Sequence, residues 1–223
     1  ERAITRWYYR DAQRILRSMP HLKIIGITGS FGKTSTKHFL YRVLSERYNV
    51  LMTPGNFNTT LGVVRTVREH LKPHHEVFIV EMGAKQRGDI KEICDLVQPT
   101  IGVVSSVGEM HLETFGSLEN VARTKFELIE ALPEGGFGVV NVDSKPAADY
   151  LKALSRKVVT YAIENSEADY RATNIRYAAS ETTFDVAHNA TVQSGYATHI
   201  LGRGNLLNIT AAIAVAEYLG ISV

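Results

Sequence analysis

At 223 residues, with 44% hydrophobic and 22% charged side chains, the chain has ordinary globular composition and can bury roughly 70% of its unfolded surface. A formal charge of +2 is too small to argue for nucleic acid or an anionic membrane as partner. One cysteine, Cys94, excludes a disulfide framework, and no apolar run approaches the roughly 20 residues needed to cross a bilayer.

Residues 1–22 open with "ERAITRWYYRDAQRILRSMP", which is basic, aromatic, amphipathic and lacks an initiating Met. We expect an N-terminal linker helix packed on the domain's edge and cut from something longer. Trp, Tyr and Arg at helical spacing also suit a membrane-surface helix, so a membrane tether in the full protein stays open. No signal-peptide succession is present, which together with the single cysteine predicts a reducing, cytoplasmic setting.

From there to residue 141, apolar runs of strand length (22–27, 50–53, 77–81, 101–105 and 138–141) alternate with helix-period segments (33–47, 60–71, 89–97 and 118–132). Such alternation predicts an α/β fold: a P-loop-type, mostly parallel sheet with helices on both faces. Cys94 falls among Ile93, Leu96 and Val97 in the third of these helices and reads as a small buried hydrophobe. Beyond 141 the texture changes. Runs at 157–163, 170–179, 182–188 and 196–201, separated by polar turn clusters, predict a small antiparallel β patch in the C-terminal third. An alanine-rich helix over 205–219 closes the chain at Gly220, a suitable C-cap residue.

The stretch "GITGSFGKTSTK", residues 26–37, falls where the first strand hands over to the first helix of the alternation. It ends as the general phosphate-loop pattern does, in Gly32-Lys33-Thr34, but has Ile27 where the pattern's first glycine stands. Gly29 and Gly32 permit backbone that points N–H groups inward, and the following helix N-terminus adds about half a positive charge. Lys33 would reach the β and γ phosphates and Thr34 would ligate Mg²⁺. The nucleotide-binding set expected here is Thr28, Gly29, Ser30, Gly32, Lys33, Thr34 and Ser35.

Two further residues fall at the same carboxyl edge of the sheet. Glu81 ends the run "VFIVE", where an acid suits Mg²⁺, although a strand-end carboxylate reaching solvent reads equally from the residue alone. His111 follows the next strand in "VGEMHLETFGS"; a lone His is as often a satisfied surface group as a ligand.

Taken together, "GITGSFGKTSTK", "TPGNFNTTLGV", "EMGAKQRGDI", "VGEMHLETFGSLENVARTKFELIEALP", "VVNVDS" and "GRGNLLNITAA" resemble the central domain of the Mur ligases, ATP-dependent amide-forming enzymes of peptidoglycan precursor synthesis. Within that family the Gly-Asn-x-Asn stretch, "EMGA" and "HLETFGS" are most similar to the D-alanyl-D-alanine-adding branch. The resemblance implies that residues 23–223 form the central ATP-binding domain. It also implies that the family's flanking UDP-binding and amine-binding domains lie outside this chain, which alone would bind Mg-ATP weakly and not ligate.

The resemblance further implies ATP and two Mg²⁺ ions, with Lys33, His111 and Lys125 as catalytic residues. Thr34 and Glu81 would hold the first ion. His111 would help hold the second with Lys125, the lysine of "ARTKFEL" that matches the family's carbamylated position. Carbamylation requires a neutral amine, which burial among cations favours; without the match Lys125 would read as one more exposed helix charge. Asn56, Asn58 and Thr59 match the loop approaching the muramyl peptide, with Thr59 standing where many relatives carry Asn. Asn205 and Asn208, one helical turn apart, match positions near adenine, and Asn205 alone would also serve as a helix cap. Asn141 and Asp143 mark the end of the next strand, where the family often shows two acids.

The implied substrates are ATP, a UDP-linked muramyl peptide and an amino acid or dipeptide, joined through an acyl phosphate. Two other readings stay open. One is a related ligase for a different acid, of polyglutamate or cell-surface type. The other is a nucleotide-binding module without catalysis, against which Glu81, His111 and Lys125 speak because a sensor needs no second metal site.

Overall fold

The computed structural model describes residues 1–55 and 57–222. The chain opens with α1 (Arg2–Arg17), β1 (Lys23–Thr28), α2 (Lys33–Leu44), β2 (Val50–Met52), α3 (Thr60–His70) and β3 (Val77–Glu81). It continues through α4 (Asp89–Val97), β4 (Ile101–Val104), α5 (Leu112–Phe115), α6 (Leu118–Lys125), α7 (Glu127–Ala131), β5 (Phe137–Asn141) and α8 (Lys145–Ala153). β6 (Val159–Ala162), β7 (Tyr170–Tyr177), β8 (Thr182–His188), β9 (Thr191–Thr198) and α9 (Arg203–Tyr218) complete it.

Among the described residues one nine-stranded sheet runs in the order β2-β3-β1-β4-β5-β6-β7-β8-β9. Pairings are parallel from β2 to β7 and antiparallel from β7 to β9, so the α/β expectation holds. The parallel strands are apolar on both faces, as a sheet covered twice requires. On β1 and β3, Ile25, Ile27, Val77 and Ile79 pack with Leu40 and Leu44 of α2 and Ala211–Ala216 of α9. Ile24, Phe78 and Val80 face the opposite layer, with Ala12 and Leu16 of α1, Val63 and Val67 of α3 and Ile93 of α4. The chain crosses from one side of β1 to the other between β3 and β4. The carboxyl ends of these strands are therefore where an open α/β sheet leaves a crevice.

Three expectations are corrected. Residues 157–163 do not join the antiparallel patch, because β6 pairs in parallel with both β5 and β7. The α8 crossover, unread in the sequence, returns the chain for that parallel pairing. Its start is marked by Ser144 at the N-cap and Pro in the first turn, the usual helix-opening signal. The short β6–β7 connection is tied by Asp169, whose Oδ2 accepts from the Thr160 N–H (2.9 Å) and hydroxyl (3.1 Å).

Second, the continuous helix expected over 118–132 breaks at Phe126 into α6 and α7. The break lets Phe126 bury fully against Tyr150, ring centroids 4.8 Å apart, while Leu128 lies over the sheet. Third, the last strand begins at Thr191 rather than near 196.

α1 packs on α3 and α4, with Asp11 bridging to Arg68 (2.9 Å) and the Arg68 guanidinium 4.2 Å from the Tyr8 ring centroid. Ile4 and Trp7 on the same helix are more than half exposed. Among the described residues no helix is long and apolar enough to cross a membrane. Cys94 is buried, as its neighbours predict, and burial pushes its thiol up to about 12.

Leu128 explains two strand glycines. A Cβ on Gly26 would lie 2.7 Å from Leu128 Cδ1, and one on Gly102 would lie 2.9 Å from Leu128 Cγ. Gly102→Ala is therefore expected to overpack this contact and cost about 1–3 kcal/mol, read from urea unfolding midpoints at unchanged m-value.

Candidate functional site

The glycine-rich loop leaves β1 at Thr28 and re-enters helix at Lys33. Its shape is set by two glycines and three serines. A Cβ on Gly29 would sit 2.0 Å from Ser105 Oγ, so only glycine lets the loop lie against the end of β4. Gly32, at φ +82, caps α2 without any side-chain hydrogen bond, and a Cβ there would lie 2.7 Å from Asn208 Oδ1. The Ser30 N–H donates to Ser106 O (3.1 Å), the Phe31 N–H donates to Ser106 Oγ (2.9 Å), and Ser105 Oγ donates to Phe31 O. Ser30 Oγ accepts from the Gly108 N–H (2.9 Å). The loop is thus clamped to residues 105–108, while the first-turn N–H groups of Lys33, Thr34 and Ser35 have no acceptor within the helix. That is the geometry of an anion cradle. Thr28 faces inward instead, its hydroxyl donating to Met82 O (2.9 Å).

Glu81 is almost fully buried at the end of β3, and its two oxygens have different partners. Oε1 accepts from Thr34 Oγ1 (2.9 Å), and Oε2 accepts from Lys37 Nζ (2.8 Å). Lys37 is wholly buried; its ammonium also donates to Thr53 O (3.0 Å) and Gly55 O (2.8 Å). The strand-end carboxylate therefore does not reach solvent. It belongs to a buried ion pair that faces the loop through Thr34.

Lys37 is the residue that the sequence reading missed. A signal was present: positions 37, 40 and 44 form the inward stripe of α2, and a charge on such a stripe demands a partner. Ser105 and Ser106 were missed as well, and their only sequence signal is their position directly after a strand.

A cavity of about 520 Å³ opens beside the loop, lined by Gly29, Ser30, Lys33, Asn58, Thr59, Gly83, Lys85, Asp89, Glu92, His111 and Lys125 among others. Lys33, Lys125, His111, Asn58 and Thr59, separated in sequence, all line this cavity. Lys125, the last residue of α6, is 4% exposed, and burial, reinforced by the neighbouring Lys33 charge, lowers its amine to about 8. The exposed-charge reading of Lys125 is thereby excluded. His111 is exposed at the rim in a left-handed conformation (φ +60) that opens α5.

Asn58 reaches under Gly83: a Cβ on Gly83 would be 2.7 Å from Asn58 Cγ, and the Gly83 N–H donates to Asn58 O (2.8 Å). Thr59 caps α3, accepting from the Gly62 N–H (3.2 Å). Asn56 lies outside the described residues.

Asn205 and Asn208 stand on the other side of the loop and do not line this cavity. Asn208 is buried against Gly32, whereas Asn205 donates to Leu201 O (2.8 Å). Gly202, not Asn205, is the N-cap of α9, because the helix begins two residues earlier than expected. Asn141 and Asp143 are held in the framework. Asn141 Nδ2 donates to Ser105 O (2.8 Å), and Asp143 accepts from the N–H groups of Ile163 (2.7 Å), Glu164 (3.1 Å) and Asn165 (2.9 Å).

Residues 27–216 match the family described as Mur ligase middle domain. The chain is 32% identical over 217 residues to the UDP-N-acetylmuramoyl-tripeptide–D-alanyl-D-alanine ligase of Escherichia coli, covering 97% of this chain and 48% of that protein. The Bacillus subtilis ligase of the same name is 32% identical over 200 residues, covering 90% of this chain and 42% of the other. Among solved structures, MurF ligase from Thermotoga maritima in complex with ADP superposes with a TM-score of 0.87 at 28% identity, over 98% of this chain and 50% of that one. The chain spans about half the length of the curated relatives it matches.

Two outcomes are expected. Lys37→Met strands the buried Glu81 carboxylate and should cost about 3–5 kcal/mol in urea unfolding, most of it recovered in Lys37→Met/Glu81→Gln. The Lys125 amine titrates near 8 when folded against its ordinary 10.5, so between these pH values the unfolded chain binds the extra proton. Stability contributed by this group should therefore rise with pH across that window, and Lys125→Met should abolish the rise.

Proposed function

Since the chain belongs to the Mur ligase family, we propose that it is the ATP-using core of a D-alanyl-D-alanine-adding ligase of peptidoglycan precursor synthesis. Residues 23–223 form that core. Recognition of the UDP-muramyl tripeptide and of the incoming dipeptide is shared with domains found in the remaining half of such ligases. The work is cytoplasmic, where ATP is supplied. The observation that carries the reading is one constellation: an anion cradle at Lys33–Ser35, the Thr34–Glu81 contact of 2.9 Å beside it, and a buried, partly neutral Lys125 across the same cavity. The printed names of the Escherichia coli and Bacillus subtilis relatives support the choice of substrates.

The reaction requires a substrate carboxylate to attack the γ-phosphate of ATP, giving an acyl phosphate as ADP leaves; the amine then attacks the acyl carbon, forming the amide as phosphate leaves and the amine gives up a proton. Both reactants are anionic, so the site must offset repulsion while holding them in line. Lys33 and the first-turn N–H groups of α2 bind and orient the phosphates. Asn208, packed on Gly32, approaches the base from behind the loop, with Asn205 one turn earlier. The segment holding Asn56, Asn58 and Thr59 presents the acid.

The residues present fit Mg²⁺. A hydroxyl and one carboxylate oxygen face the loop, and among the described residues no cluster of three His, Cys, Asp or Glu side chains makes an all-protein cage. This suits a cation that takes few carboxylates and completes its shell with phosphate oxygens and water. Bound there, Mg²⁺ would neutralise charge on the phosphates. Thr34 and Glu81 would hold that ion, and His111 would serve a second. As an ammonium Lys125 could not join His111, having three donors and no acceptor, whereas a carbamate would bring the oxygen ligands that a hard cation prefers. Its lowered pKa leaves the free amine that CO₂ uptake consumes.

The test is a titration with a non-hydrolysable ATP analogue and Mg²⁺. The chain should bind, and Lys33→Ala should weaken binding at least about tenfold through loss of a charge-assisted hydrogen bond. Binding that ignores Lys33 would contradict the reading. Amide product from the 223-residue chain, tripeptide precursor and D-alanyl-D-alanine alone would contradict the division of labour between domains.

A further inference from the structure

We propose that Lys37 is a positioning residue that leaves Glu81 a single metal-facing oxygen and thereby makes the site select Mg²⁺ over Ca²⁺. The inference rests on the reading that Thr34 and Glu81 hold the ion.

The Lys37 ammonium has three donors, and all are used: Glu81 Oε2 at 2.8 Å, Gly55 O at 2.8 Å and Thr53 O at 3.0 Å. It is 0% exposed, so no water can replace a lost partner. The two carbonyls anchor Nζ at Oε2, while the loop residue Thr34 contacts Oε1. The Glu81 backbone is held too, its N–H donating to Thr53 Oγ1 (3.1 Å). Oε2 is therefore turned to the ammonium, and Oε1, in contact with Thr34 Oγ1, is the oxygen on the loop side, without a cation beside it to repel an ion at the loop mouth.

This arrangement treats two cations differently. Mg²⁺ demands near-ideal octahedral geometry and takes one oxygen from a carboxylate. Ca²⁺ accepts six to eight oxygens and often takes both from one carboxylate. A bidentate Glu81 would place a divalent charge against Oε2, whose Lys37 ammonium lies only 2.8 Å away, and the repulsion would weaken or break that bond. The ammonium would then be left buried without its counter-charge, which is costly. Lys37 lies outside the ion's coordination shell, yet it sets how many oxygens the ligand can offer.

The experiment titrates a non-hydrolysable ATP analogue into the wild-type chain, Lys37→Met and Lys37→Gln, each in Mg²⁺ and in Ca²⁺, with folding checked by circular dichroism. Wild-type affinity should be higher with Mg²⁺ by about tenfold or more, and the ratio in Lys37→Met should fall to within about threefold. Lys37→Gln, which keeps a donor but no charge, should lie between. A merely structural role for Lys37 would weaken both affinities in parallel, so an unchanged ratio in the variants would overturn the inference while leaving the nucleotide-site reading intact. Should Lys37→Met not fold, Lys37→Gln decides: a ratio below the wild-type value supports the inference, and an unchanged ratio overturns it. A wild-type chain that binds equally well with both ions overturns the inference whatever the variants do. Absence of binding with either ion overturns it together with the reading beneath it.

Discussion

The buried pair of Lys37 and Glu81 is the constraint from which the site's geometry follows. Removing two charges from water costs several kcal/mol per ion, and the cost is met only where every donor and lone pair finds a partner. Here the ammonium ties three parts of the chain together: the second turn of α2, the segment after β2 through the carbonyls of Thr53 and Gly55, and the end of β3 through Glu81. The glycine-rich loop stands at one end of this tie and the Asn58 loop at the other. A single buried side chain thus sets the distance between the region that would hold phosphate and the region that would present an acid.

The parallel part of the fold was legible because its physics is local. Runs such as Ile24–Ile27 and Phe78–Val80 are apolar on both faces, and only a doubly covered sheet buries such runs. The glycines at 29 and 32, followed by Lys33 and Thr34, announce a turn into a helix with free N–H groups. What was not legible depends on distant partners. The break at Phe126 answers to Tyr150 and to two glycines on β1 and β4, none of which is near it in sequence. The parallel direction of β6 depends on α8 and on the Asp169 tie. Lys37 reads as a surface lysine until its stripe on α2 is drawn, and the strand-end position of Asn141 and Asp143 does not reveal the distant backbone groups they hold.

Electrostatic crowding gives the cavity its character. Lys33, Lys85 and Lys125 line it with Asp89 and Glu92, and the most buried of the lysines, Lys125, gives up its proton more easily because of its burial and the neighbouring Lys33 charge. A cavity with more lysines than carboxylates, one of those lysines with a lowered pKa, suits chemistry in which two anions must meet. The same burial that makes the amine costly as an ammonium makes it available as a nucleophile toward CO₂. The lowered pKa of the Lys125 amine and its closeness to the Lys33 charge are thus two consequences of one packing arrangement around α6.

The most direct measurement is a structure of this chain with Mg²⁺, bicarbonate and a non-hydrolysable ATP analogue, combined with ¹³CO₂ trapping on the intact protein. The account predicts phosphates on the N–H groups of Lys33–Ser35, an ion contacted by Thr34 and Glu81 Oε1, and a carbamate on Lys125 facing a second ion beside His111. A nucleotide-loaded site in which Lys125 remains a free amine would contradict the ligase-type site and leave a nucleotide-binding module in its place.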